Sequence, residues 1–197
     1  MVDSISPVDA WEGRYQRGET GWDRNGSNPL LHTWLVESLS FDSTILIPGC
    51  GHGHELIDLA RLGYKVTGID IAPTPVEHMK CELGSEDLSA EVIQVDMFEY
   101  SPISPFDVVY EQTSLCAIQP NQRVGYEKKL YEWLKPAGKL YALFMQTGAE
   151  GGPPFHCDIM DMRALFAPSR WDWGEGEPLH SPHPSGRFEL AYRLIRR

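Results

Sequence analysis

Along this chain, short runs of β-branched and aromatic residues alternate with stretches whose apolar residues recur every three or four positions. Thr44–Pro48 (TILIP) reads as a buried strand, and His54–Leu62 as a helix that stops at Gly63. Lys65–Ile71 (KVTGIDI) predicts a second strand, and Pro75–Leu83 a helix with Val76, Met79 and Leu83 inward. Glu91–Asp96 and Phe106–Glu111 predict the third and fourth strands. Asn121–Leu134 predicts a long amphipathic helix ended by Lys135-Pro136-Ala137-Gly138, and Lys139–Gln146 a fifth strand.

Upstream, residues 29–39 place Leu30, Leu31, Trp34 and Leu35 at helical spacing, with Pro29 suited to a first turn. Downstream, Asp158–Phe166 reads as a helix. Two β-like segments, WDWGEGEPL and RFELAYRLIRR, flank a Pro/Gly/Ser loop and predict an antiparallel hairpin at the sheet edge. The alternation defines an α/β fold, a Rossmann-like, mostly parallel seven-stranded sheet with helices on both faces and that hairpin at its C-terminal end. No repeat or linker divides it, so 1–197 is expected to form one domain, with 1–40 covering a 41–197 core.

Composition narrows the ligand. The net charge of −11 is wrong for a nucleic-acid surface, which needs a basic stripe. No apolar run is long enough to cross a membrane, and the N-terminal stretch has an early acid and no signal-like apolar region. Four scattered cysteines without a C-x-x-C pair fit reduced thiols, so a cytoplasmic setting is the expectation, and a monomer is the default for a chain this compact.

The chemistry starts at Gly49-Cys50-Gly51-His52-Gly53, directly after the first strand. In an open α/β sheet, ligands bind beyond the carboxyl ends of the strands near the switch point in strand order. The loop, Asp70 with Ile71 at the end of the second strand, Asp96 at the third and Glu111-Gln112 at the fourth should therefore line one crevice. A dinucleotide fingerprint wants G-x-G-x-x-G, and here its last glycine position is His54; a phosphate-binding Gly-Lys-Ser/Thr is absent. G-x-G-x-G with acids ending the next two strands is instead the arrangement of class I S-adenosylmethionine methyltransferases. Asp70 would hold the ribose hydroxyls, and Asp96 the adenine amine beneath Met97 and Phe98. His52 and His54 resemble a metal H-x-H, but the sequence places no third ligand, and no metal is expected. His180 and His183, in a Pro/Ser loop, are expected in solvent.

Nearly the whole chain resembles the thiopurine/thiol S-methyltransferases, including the branch active on thiols, thiocyanate and halides. The motifs are WEGRYQRGETGWD (Trp11–Asp23), IPGCGHGHE, FDVVYEQTSLCAIQP (Phe106–Pro120) and GGPPF (Gly151–Phe155). The resemblance implies S-adenosylmethionine as cofactor and S-adenosylhomocysteine as product. It carries the cofactor cover to Trp11, Tyr15 and Trp22, the loop to Pro48, Gly49, Gly51 and Gly53, and the ribose and adenine positions to Asp70, Asp96, Met97 and Phe98. It makes Gly151–Phe155 a wall of the acceptor pocket. Gln112 stands where thiopurine-active members carry an arginine, which shifts the expected acceptor toward smaller thiols or inorganic sulfur and selenium.

Transfer from a sulfonium to sulfur is an in-line displacement, governed by alignment and exclusion of water. A base helps only an aliphatic thiol, and Asp23, Glu111 and Tyr15 are the candidates, with Gln112 beside the acceptor. Thiocyanate, halide, oxygen or nitrogen acceptors, and a non-catalytic cofactor-binding module, stay open as alternatives.

Overall fold

The computed structural model describes residues 6–197. Five α-helices (α1 Pro7–Gln16, α2 His54–Arg61, α3 Pro73–Ser85, α4 Arg123–Trp133, α5 Ile159–Leu165) accompany eight strands: β1 Thr44–Pro48, β2 Lys65–Asp70, β3 Glu91–Gln94, β4 Phe106–Gln112, β5 Leu134–Gln146, β6 Trp171–Asp172, β7 Leu179–Pro182 and β8 Phe188–Arg196. They form one sheet in the order β3-β2-β1-β4-β5-β8-β6, with β7 also paired to β8. β1 to β5 run parallel, and β8 lies antiparallel between β5 and the edge strands.

The sheet has eight strands because the outer arm of the expected hairpin is broken in two. Gly174 and Gly176 take positive φ between β6 and β7, and each piece pairs separately with β8. β5 begins earlier than expected, at Leu134. Lys135–Gly138 do not end pairing but form a bulge, with Ala137 at φ 62°, so Leu134 pairs Phe106 before the ladder resumes at Lys139.

Residues 29–39 are not an α-helix. Leu31–Leu35 wind as a single wide π turn followed by a 3-10 turn at Val36–Ser38. The apolar spacing still does what it predicts, since Leu31 and Leu35 are both fully buried.

Two apolar layers cover the sheet. On one face α4 and α5 bury Tyr126, Leu130, Trp133, Met162 and Phe166. On the other, α2, α3 and the π turn bury Leu31, Leu35, Leu56, Leu59, Val76, Met79 and Leu83. With each face sealed, the strand ends become the place for a ligand. Strand order reverses between β1 and β4, and the crevice opens there, above Pro48 and Gln112.

Candidate active site

At that switch point β1 runs into three glycines in the left-handed region: Gly49 (φ 57°), Gly51 (φ 55°) and Gly53 (φ 76°). A Cβ at Gly49 would lie 2.3 Å from Ser114 Oγ, and one at Gly51 would lie 3.3 Å from Tyr15 Oη and 3.9 Å from Trp22 Nε1. Bare backbone thus faces an aromatic cover across a narrow gap. Ser114 Oγ donates to the Pro48 carbonyl at 2.8 Å, fixing the loop to the segment after β4.

Asp70 ends β2 beside this loop. Its Oδ2 accepts from the Gly51 N–H (3.0 Å) and its Oδ1 from the Ala72 N–H (2.9 Å). Burial raises its pKa, and these main-chain donors work against that shift. The carboxylate is held in place with lone pairs to spare on the cavity side.

Trp11, Tyr15, Trp22, Gly49, Asp70, Ile71 and Met97 line one cavity of about 300 Å3. Trp22 packs edge-on against Trp11 and Tyr15, with centroids 5.5 and 5.6 Å apart. The cover is α1 and the turn after it. Glu12 ties it to the start of α3 by accepting from the Thr74 N–H at 3.0 Å and the Thr74 hydroxyl at 2.5 Å. These groups fit an adenosyl cofactor: glycine backbone for its amino-acid part, Asp70 for ribose hydroxyls, Met97 and Ile71 for the ring.

The other expected residues lie elsewhere. Pro48 acts through its carbonyl rather than by lining the cavity. Gly51 and Gly53 line a second, smaller cavity with Asp23 and Gln112, which adjoins the first at Trp22, Gly49 and Thr113. Asp96 does not line the cavity; its Oδ1 accepts from the Phe98 N–H (2.9 Å) within its own turn, and Phe98 packs on Tyr126. Of that trio only Met97 reaches the cavity.

The three residues expected beside the acceptor are also displaced from it. Glu111 is 1 % exposed in the core under β4; its Oε1 accepts from the Leu115 N–H at 2.6 Å and burial pushes its pKa up to about 8. Gln112, with its amide nitrogen toward Glu55 (3.3 Å), accepts from Arg24 Nε at 3.2 Å. Asp23 is taken by two rings, His52 Nδ1 at 2.5 Å and His54 Nε2 at 2.9 Å.

The same cavity is further lined by Arg14, whose guanidinium lies over the Trp11 ring at 5.3 Å from its centroid, and by Arg187, His183, Met145, Pro153 and Pro154, the part left for the acceptor. Of these, the sequence pointed only to the GGPPF prolines. His183 is buried rather than solvated, and burial together with Arg24 and Arg187 pushes its pKa down to about 4. His180 is exposed and stacks on Phe188.

The sheet order and the loop–acid pair define a class I S-adenosylmethionine-dependent methyltransferase. The fold matches that of magnesium protoporphyrin IX methyltransferase from Synechocystis, solved with S-adenosylmethionine bound, at a TM-score of 0.78 over all of both chains and 13% identity. The family described as thiopurine S-methyltransferase matches residues 7–181, and the chain belongs to it. It is 32% identical over 162 residues to thiocyanate methyltransferase 1 of Brassica oleracea, covering 80% of this chain and 71% of that one. It is 29% identical to a thiopurine S-methyltransferase of Photobacterium profundum, covering 79% and 80% respectively. The protein is an S-adenosylmethionine-dependent S-methyltransferase.

Proposed function

We propose that the methyl acceptor is a small sulfur or selenium nucleophile that arrives already ionised, a thiolate or a thiocyanate-like anion. The observation that carries this reading is the acceptor end of the cavity, which presents two guanidinium groups and no working base. Arg14 and Arg187 supply positive charge there. Tyr15 stays protonated, because burial and the Asp70 charge push its pKa well up. Glu19 is engaged by Arg17 at 2.9 Å, which holds its carboxyl below the usual range. His183, depressed to about 4, is a neutral and weak base at pH 7. Glu111 and Asp23, the other candidates, do not line the cavity.

The cofactor supplies an activated methyl group on sulfur. The chain supplies alignment and dryness: Trp11, Tyr15 and Trp22 exclude water above, and Met145, Pro153 and Pro154 form an apolar wall beside the acceptor. Desolvating an anion against that wall raises its reactivity, while the arginines draw it in. The same cavity of about 300 Å3 has to hold the cofactor as well as the acceptor and sits at the small end of the ~300–1,000 Å3 common for ligand sites, so the share left for the acceptor favours a compact one. The Brassica relative, a thiocyanate methyltransferase, points the same way.

Gln112, Glu111 and Asp23 act on this reading as supports of the β4 end and of the cover. The reading also includes one domain spanning 1–197, a monomer without nucleic-acid or membrane partners, a cytoplasmic setting and a role in disposing of reactive thiols. The acidic charge and the four scattered thiols support it. Among the described residues no helix is long and apolar enough to cross a membrane.

A panel of thiocyanate, aromatic thiols, selenide and iodide, run beside an alcohol, an amine and a neutral thione, tests the proposal by methylated product. Turnover is expected to follow the anions, sulfur and selenium first. Turnover confined to the alcohol or the amine would overturn it.

A further inference from the structure

We propose that Asp23, His52 and His54 bind a divalent transition-metal ion of the zinc class, tying the N-terminal cover to the cofactor loop. The H-x-H pair lacks a third ligand in the sequence; the fold supplies it from 29 and 31 residues upstream. Asp23 follows Trp22 at the end of the cover. His52 sits inside the glycine loop, and His54 opens α2. The left-handed turns at Gly51 and Gly53 flank His52, and both rings reach the one carboxylate.

One ligand atom from each residue can be chosen so that all three lie within 4.8 Å of one another. The Asp23 side chain is 13 % exposed, His52 25 % and His54 33 %, so the cluster is partly shielded yet reachable. Zinc–ligand bonds of ~2.0–2.2 Å would draw these atoms around one centre by small side-chain rotations. Two imidazoles and a carboxylate suit Zn2+, Co2+ or Ni2+ better than Mg2+ or Ca2+, which prefer oxygen alone.

The small cavity beside the cluster, about 50 Å3 and lined by Arg24, Gln112 and Thr113, has room for a water as fourth ligand. Coordination uses the lone pairs of His52 Nδ1 and His54 Nε2. A neutral ring, whose proton faces Asp23, moves it to its other nitrogen through solvent, and a ring that starts doubly protonated gives one proton to solvent.

None of the three residues lines the cofactor cavity, so the ion stands beside the chemistry and acts on the cover. The full chain, free of tags and stripped with a chelator, is titrated with Zn2+ against a chromophoric competitor, and separately with Co2+ followed by visible absorption. One equivalent is expected, with the absorption pattern of a four-coordinate cobalt site. His52→Gln, His54→Gln and Asp23→Asn should each weaken binding at least tenfold, whereas His180→Ala, at an exposed ring, should not. Loss of binding counts only for variants whose circular dichroism matches that of the parent. Should all three fail to fold, the parent's Co2+ spectrum decides, a weak aquo-like spectrum overturning the site. Failure to take up one equivalent, or variants binding as the parent does, would leave Asp23 as a hydrogen-bonded clasp only. The readouts involve no turnover, so they stand or fall separately from the acceptor proposal.

Discussion

The Gly51 N–H donates to Asp70 Oδ2 at 3.0 Å, so the cofactor loop and the end of the neighbouring strand are joined by the acid assigned to the ribose. Asp70→Ala removes that tie and, on the proposed assignment, the acceptors for the ribose hydroxyls. Charge-assisted hydrogen bonds are worth roughly 1.5–3 kcal/mol each. Calorimetry with S-adenosylhomocysteine should show affinity lower by at least about tenfold, with the fold retained by circular dichroism. Unchanged affinity would remove Asp70 from the cofactor site.

Gly49 has no room for a side chain. Its backbone sits at φ 57°, and the added Cβ would meet Ser114 Oγ at 2.3 Å, the oxygen that pins Pro48. Gly49→Ala should cost about 1–3 kcal/mol in urea unfolding, from the left-handed backbone and the contact together. A variant as stable as the parent would mean that the loop relaxes freely.

Glu111 gives the protein a pH dependence of definite sign. Its pKa is pushed up to about 8 by burial, against an unfolded value near 4.3, so the folded state holds the proton more tightly. Its contribution is complete at low pH and is lost as pH rises from about 4.3 to 8. Glu111→Gln keeps the shape without the proton. The stability of the parent relative to this variant should fall between pH 5 and 9 by about 1–4 kcal/mol. A difference that stays flat with pH would show that Glu111 does not titrate there.

Arg187 is exposed at the mouth of the cavity, so its pull on an anion is partly screened. Arg187→Gln should raise KM for thiocyanate about three- to tenfold, at most ~1.4 kcal/mol. It should leave S-adenosylhomocysteine affinity within about twofold. Steady-state kinetics at two ionic strengths check this, because added salt should shrink the difference. An effect on cofactor affinity alone would move Arg187 to the other end of the cavity.

Strands and helices that carry their own apolar period were legible in the sequence, β1, β2, α2 and α3 within a few residues. α1 was not, because its helix buries no residue; Trp11 and Tyr15, one turn apart, face the cavity instead of a core. Residues 29–39 show the converse, where burial of Leu31 and Leu35 was readable and the winding of the backbone was not. At the site, Gly49 and Asp70 could be read because strand ends dictate where they point. Asp96 lies two residues beyond the end of β3 rather than at it, and its carboxylate accepts the Phe98 N–H, a local bond that no spacing announces. Arg14, His183 and Arg187 come together from opposite ends of the chain, and only the pairing of β7 with β8 brings the last two to the cavity.

Glu12 and Thr74 tie the cover to the start of α3 through two hydrogen bonds, and neither residue lines the cavity. A substitution at either end of this clasp would loosen the aromatic cover while leaving every cavity-lining side chain in place. The hold on the lid and the chemistry beneath it can thus be altered one at a time.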